Sequence, residues 1–409
     1  MPASRSTTNA SATAAPKALT LNFDPRYVEF LIQAWLARDF APVHLDDLIA
    51  ATAGYAEEAF RTLNVMGLPE ETVSNEEIKR AITLFITLGL AKQKRVTPKP
   101  PKPSKRGNPP QLQSTPAPLA PPYSEVTVTP DGCDLMTQPK VTGALRPGII
   151  HRIVAQSPGL AALLRSFHEH GPLARPVRSL TPFAPTRGAL YTQEVEAGIQ
   201  AFWAEVDLAK SRAHAVQPTS PAKKPTAAKL IDIAAAEALQ RHPAGSLKQL
   251  DKLIDIASEL GIVWCDATQV NDVIAARWVG SAAISIDGGF TPNTSTWDEI
   301  GPRFLKALMQ AHTARADGTG FVTVTSLRGV LGRTLGVSAP VVDAFLCQAR
   351  ADGDQRRSAV TLHFEPDEDA TYASNRRPLI WNGRAYDQVL VTYPSSMQVA
   401  NVMARQASN

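Results

Sequence analysis

Ten prolines fall between Val96 and Pro122. Each removes an amide donor and fixes φ near −65°, so at that density neither a helix nor a sheet ladder propagates, and polyproline II is what remains. A second stretch, 211–228, sets Pro218, Pro221 and Pro225 among Ser, Thr, Lys and Ala. The first 22 residues are rich in Ser, Thr and Ala and read as disordered. These breaks divide the chain into 23–96, a Pro-rich basic linker at 97–122, a less legible α/β region at 123–210, a basic linker at 211–228, a helical module at 229–296, a module at 297–393 and a tail from 394 to 409. Several modules suit 409 residues, which exceed what one core ordinarily serves, and 44% hydrophobic residues supply several cores. The fold class expected is mainly α with small β-ribbons, in modules joined by Pro-rich linkers.

The breaks also hold the positive charge. Seven basic residues and no acid lie between Ala91 and Pro110, and five more, again without an acid, between Lys210 and Lys229. Removing those twelve from the 42 basic residues leaves thirty against 38 acids, so the folded remainder is acidic by about eight charges. A dedicated reader of nucleic acid ordinarily carries a large basic face on its globular part. Here the linkers are the better phosphate contacts, and the competing reading is that lysine in a proline-rich tether only keeps it solvated and extended. No apolar run reaches the eighteen residues a spanning helix requires, so no membrane partner is expected. Three cysteines more than eighty residues apart support neither a disulfide framework nor a metal clip, and fit a reducing, cytoplasmic setting.

Tyr27, Phe30, Leu31, Ala34 and Trp35 repeat at helical spacing after Asp24-Pro25, which opens a helix. Further helices are expected over Leu45–Ala53 and Tyr55–Met66. Ser74-Asn75-Glu76-Glu77 is a capping box for another helix to Leu88, which Gly89 ends before a short basic strand at Ala91–Val96. In the last region, Phe304, Leu305, Leu308 and Met309 form a helical stripe, and Phe321–Val324 alternates like a strand. Thr325 or Ser326 opens a helix to Leu335, and Ser338 opens another to about Ala351. Val360–Phe364 alternates, and Leu379–Trp381 with Tyr386–Val391 flanks Asn382-Gly383, a strong hairpin signal. Between them lie helices at Lys229–Leu239, Ser246–Leu260 and Thr268–Trp278, a strand at Ile262–Trp264, and a turn on Asp287-Gly288-Gly289, an order open to two readings, another winged helix or the near half of one two-lobed domain with the last region. In 123–210 the expected elements are a strand at Glu125–Thr129, a short helix at Leu160–His168, and a helix at Gln193–Ser211 with Val195, Ile199, Phe202, Trp203 and Val206 inward.

Helix, strand, two helices and a β-ribbon is the order of the winged helix-turn-helix superfamily. The last region resembles it most fully, and the first resembles it over about seventy residues. The resemblance implies that the second helix of the turn motif and the ribbon after it meet DNA. In the last region that helix offers Asp343, Gln348 and Arg350 among apolar residues, poor equipment for reading bases. In the first it begins with Glu76 and Glu77, which repel phosphate. The basic residues sit instead on the expected ribbons: Lys92, Lys94 and Arg95 in one, Arg356, Arg357, Arg376, Arg377 and Arg384 in the other.

Signs of catalysis are weak. His168-Glu169-His170 places its imidazoles two apart, roughly 200° around a helix, unlike the i, i+4 pair of a zinc site. Gly329, Gly332 and Gly336 match neither the dinucleotide fingerprint nor the P-loop and read as a close-packing helix face. Asp352-Gly353-Asp354, like Asp287-Gly288-Gly289, reads as a turn rather than a calcium loop. No metal or cofactor is expected.

The sequence therefore points to a non-enzymatic accessory or adaptor subunit of a DNA-processing, DNA-organising or defence assembly, cytoplasmic and nucleoid-associated when bound. Its expected partners are other protein subunits and the DNA backbone. The contacts assigned are Lys92, Lys94, Arg95, Lys102, Lys105, Arg106, Lys223, Lys224, Arg350, Arg356, Arg357, Arg376, Arg377 and Arg384. A pure protein scaffold, a sequence-specific regulator, and an enzyme with a pocket lined by His151, His168 or Glu169 are the alternatives.

Overall fold

A computed structural model describes residues 23–65, 71–97, 122–139, 145–176, 193–215, 233–235, 237–239, 241–270, 273–286, 288–316, 318, 320–366 and 378–394. They form a mainly helical protein with small antiparallel sheets. Helix α1 (Pro25–Leu36) starts where Asp24 accepts the Arg26 amide at 2.8 Å, and it buries Tyr27, Leu31, Ala34 and Trp35. A two-residue strand β1 (Val43–His44) leads into α2 (Leu45–Val65). The two helices expected here are one, because Leu48 on one side of Gly54 and Ala56 and Phe60 on the other bury into the same core. That burial outweighs the roughly 1 kcal/mol a mid-helix glycine costs.

Helix α3 (Asn75–Thr87) is capped by the Ser74 hydroxyl, which accepts the Glu77 amide at 3.4 Å. The other half of the expected box is diverted: Glu77 accepts the Asp24 amide at 3.3 Å and pairs with Arg80, while the Ser74 amide donates to the Tyr27 hydroxyl at 2.9 Å. Strand β2 (Ala91–Val96) pairs antiparallel with β3 (Tyr123–Val128), Val96 opposite Tyr123, and β3 also pairs with β1. The Pro-rich basic segment thus leaves and re-enters one hairpin. It does not join two modules, and the first unit extends to Val128 instead of ending at 96.

The chain continues through α4 (Pro130–Thr137), α5 (Pro147–Gln156), α6 (Pro158–His170) and β4 (Leu173–Pro176). Next come α7 (Gln193–Ala215), helical turns at 233–235 and 237–238, and α8 (Leu247–Glu259). Helix α7 runs five residues, 211–215, into the stretch expected to be the second linker. In α8 the Ser246 hydroxyl accepts the Gln249 amide at 3.3 Å, while the Gln249 side chain accepts from the Gly245 amide at 2.9 Å, one residue earlier than a capping box requires.

Residues 268–270 and 273–278, within the stretch expected to be a helix, belong to a hairpin of β5 (Val263–Val270) and β6 (Val273–Ser281), and β6 pairs also with β4. Thr268, Val270, Val273 and Ile274 are β-branched, and a long cross-strand register satisfies the backbone groups that a helix would have paired internally. A second hairpin, β7 (Ala283–Ile286) with β8 (Gly289–Pro292), packs on α5.

The last unit consists of α9 (Trp297–Arg315), β9 (Phe321–Thr323), α10 (Val324–Leu335), α11 (Ala339–Asp354), β10 (Thr361–Glu365), the hairpin β11 (Leu379–Trp381) and β12 (Arg384–Tyr386), and β13 (Gln388–Thr392). Helix α10 begins one residue before the earlier of the two expected caps, with Thr323 accepting the Ser326 amide at 3.2 Å. Helix α11 runs through Gly353 to Asp354, so Asp352-Gly353-Asp354 is helical and not a free turn. Asn382 and Gly383 both have positive φ, 48° and 73°, as a type I′ turn demands. The strand after that turn ends at Tyr386, and β13 leaves to join β10 and β9.

One order recurs three times: helix, strand, helix, helix, strand, strand, with the last strand central in the sheet. It is seen in α1, β1, α2, α3, β2, β3, with sheet order β1-β3-β2, and in α9, β9, α10, α11, β10, β13, with order β10-β13-β9. The middle copy follows it with α7 added after β4: α6, β4, α7, the helical turns at 233–235 and 237–238, α8, β5 and β6, with order β4-β6-β5. The first and middle copies share an apolar core that includes Trp35, Phe85, Ile149, Leu163, Ile254 and Ile262, whereas the last has its own around Phe304, Leu331, Leu346 and Val389. They meet where Gly329 and Gly332 of α10 lie against Asp266 and Trp264 of β5. Asp266, 3% exposed there, has Arg333 at 3.8 Å and Arg315 at 4.0 Å, and Arg333 also stacks 4.9 Å over Trp278. No single described helix is long and apolar enough to cross a membrane.

Candidate nucleic-acid interface

Lys92, Lys94 and Arg95 are exposed along β2. Strand alternation puts Lys92 and Lys94 on the face away from buried Ala91 and Val126, together with Thr127, Glu125 and His44. Lys94 lies opposite Glu125, and His44 stacks on Tyr123 with ring centroids 3.7 Å apart. Lys79 and Arg80 of α3 add exposed cations that the sequence alone does not single out, although Glu76 lies 3.5 Å from Lys79 and Glu77 pairs with Arg80. Lys102, Lys105, Arg106, Lys223, Lys224, Arg376 and Arg377 lie outside the described residues.

In the last unit Arg356 and Arg357 follow α11 and Arg384 flanks the hairpin turn, all exposed. Arg350 is engaged internally. Its Nε donates to Asp354 at 3.0 Å, its Nη1 donates to the Leu362 carbonyl, and its guanidinium lies 5.8 Å from the Phe364 ring centroid, fastening α11 to β10. The other polar groups of α11 are also bonded within the unit. Asp343 accepts two hydrogen bonds of 2.7 Å from Arg328, and Gln348 donates to Asp352 at 2.9 Å. Hairpin β11–β12 lies beside this helix: Arg328 donates to the Pro378 carbonyl at 3.3 Å and Cys347 to the Ile380 carbonyl at 3.8 Å. Burial, with the nearby Asp343 carboxylate adding to it, pushes the Cys347 thiol up to about 11. In the middle copy, Lys252 and Ile256 of α8 border a hollow with Phe23, Asp24 and Glu77, so that helix faces the first unit.

The histidines of the middle region separate. His151 Nδ1 lies 3.2 Å from the Phe290 carbonyl, and His168 stacks on the Phe290 ring at 5.4 Å. His168, Glu169 and His170 are an exposed helix end, and no cluster of three metal-ligating side chains occurs among the described residues. Glu169 and His170 do border a cleft of about 540 Å³ between α6, α7 and the segment entering α8. On its α7 side Glu205 accepts hydrogen bonds from Arg241 Nε at 2.9 and 3.1 Å and lies 3.1 Å from His242 Nε2. Burial raises the Glu205 carboxyl's pKa, but those hydrogen bonds outweigh it and hold it below the usual range. Trp203, expected to point inward, is 47% exposed and donates from Nε1 to the Gly245 carbonyl at 2.8 Å. Glu205 and Arg241 are 36 residues apart and flank the second Pro-containing stretch, so no local spacing announces their meeting.

The chain matches no known family model, no curated protein and no solved structure.

Proposed function

We propose that this chain is a non-enzymatic accessory subunit of a DNA-processing, DNA-organising or defence assembly, made of three winged-helix modules in tandem that dock on protein partners and on the DNA backbone. The observation that carries this reading is the contrast between the units' third helices and their ribbons. Asp343, Gln348 and Arg350 of α11 are bonded within their own unit, α8 faces the first unit, and α3 opens with two carboxylates, so base edges find few donors. Lys92, Lys94 and Arg95 are exposed on β2, and the sequence between β2 and β3 adds Lys102, Lys105 and Arg106. Backbone contact without base readout is what such a layout supplies. The side chains Trp203, Leu208, Ile284 and Ile286, each more than 40% exposed, favour protein partners beside DNA.

The test is fluorescence anisotropy on a random-sequence duplex between 50 and 200 mM salt. Affinity should fall steeply with salt, and Lys92→Ala, Lys94→Ala and Arg95→Ala together should flatten the log–log slope by about 2 to 3, since each phosphate that a cation neutralises releases roughly one counterion. Absence of binding at low salt would instead support a pure scaffold, and tight, salt-insensitive binding to one sequence a regulator.

A further inference from the structure

We propose that the cleft between α6, α7 and the segment entering α8 is a binding site for a small amphipathic anion, an apolar body carrying one carboxylate, sulfonate or phosphate. The middle copy differs from the other two in holding the extra helix α7 between its first strand and its second helical segment, and this addition forms one wall. The wall is built to hold its shape. Phe202 packs so closely on Gly245 that a Cβ there would lie 2.4 Å from the ring, and Trp203 is bonded to the same glycine's carbonyl.

Arginines and imidazoles converge on the cleft from both sides, Arg165 and His170 from α6, Arg241 and His242 from the segment before α8. Glu205 acts as a positioning residue, since its hydrogen bonds with Arg241 and His242 fix both side chains at the rim. Two arginines stand on the lining with the Glu169 carboxylate, which itself lies 3.8 Å from His170, and Arg241 is paired at 2.9 Å with Glu205 beside it. Ile199 and Leu250 contribute apolar lining. A volume of about 540 Å³ suits a ligand of metabolite size, since small-molecule sites span roughly 300 to 1,000 Å³. Apolar walls with arginines at the rim select an anion that also has a body to bury.

The site can be probed in the intact protein with 8-anilinonaphthalene-1-sulfonate, read by fluorescence titration with circular dichroism as the folding control. One saturable site per chain is expected, displaced by decanoate but not by decanol at the same concentration. Arg165→Gln and Arg241→Gln should each weaken binding about tenfold, the size of a missing charge-assisted hydrogen bond. Ile199→Trp, which fills the cleft from the α7 side, should abolish it while helicity is kept. The proposal is overturned if no saturable site exists, if decanol competes as well as decanoate, or if folded arginine variants bind the dye as tightly as the parent.

Discussion

Gly329 marks the tightest approach between the last unit and the middle sheet. A Cβ at that position would lie 2.6 Å from Asp266 Oδ1 and 2.8 Å from its Cα, and backbone cannot step aside as a side chain can. Gly329→Ala should therefore cost about 1 to 3 kcal/mol, the range for overpacking a close-packed site, seen as a lowered thermal midpoint. Gly336 provides the contrast: its φ of +68° strains any other residue, yet nothing lies within 4 Å, so Gly336→Ala should cost only about 1 kcal/mol. Cys347 makes a prediction in pH. Its thiol is lifted by burial from 9.0 to about 11, so the folded protein holds that proton more tightly than the unfolded chain. The resulting stabilisation is complete below pH 9 and disappears as pH rises toward 11. Urea midpoints measured across that window should fall for the parent and fall less for Cys347→Ala.

A buried charged pair, Arg328 with Asp343, ties helix α11 to hairpin β11–β12, beside the bond from Cys347 to the Ile380 carbonyl. The Arg328 side chain, 10% exposed, donates both to Asp343 and to the Pro378 carbonyl at the base of the hairpin. Asp343→Ala would remove the two 2.7 Å bonds that this carboxylate gives the buried guanidinium, a destabilisation of about 3 kcal/mol when a buried pair is broken from one side. Amide exchange should quicken over residues 379–386 before it does over β10 and β13, and equal acceleration in both would mean the hairpin is not held through Arg328. The elements most legible in the sequence are those whose apolar stripe begins at a capping residue, as α1 does at Asp24, α3 at Ser74 and α8 at Ser246. Residues 268–278 mislead because Val270, Val273, Ile274 and Trp278 also fit a helical period, and only their pairing with β4 and with the rest of β5 selects the strand. Helix α4 has a start signal in Thr129 and Pro130, but it carries Gly132 in its first turn and lacks a long apolar stripe. Helix α5 does carry one, Ile149, Ile150, Ile153 and Val154 after Pro147, but Arg146 before it makes no side-chain cap to mark where the stripe begins.

Three copies of one topology need not be three independent folding units, and the distribution of the core decides which are. The threefold order is only partly legible in the sequence, because 26 residues interrupt the first sheet between Val96 and Tyr123 and the middle copy carries α7 inside it. The cleft is not legible, since its arginines belong to segments far apart in sequence. Apolar packing runs without a break from α1 and α3 through α5 and α6 to α8, so removing the middle copy would expose Ile149, Ile150 and their neighbours in α5 along with the side chains they cover. The last unit buries Phe304, Leu308, Leu331, Phe345, Leu346 and Val389 against one another and gives up on separation chiefly the seating of α10 on β5. A fragment spanning 294–409 is therefore expected to fold alone and unfold cooperatively in urea. One spanning 1–140 should show a shallow transition and bind hydrophobic dye, because α1 and α4 keep only part of their cover. Two steep, independent transitions would place the boundary after Val128 and make the shared core a docking surface between finished domains.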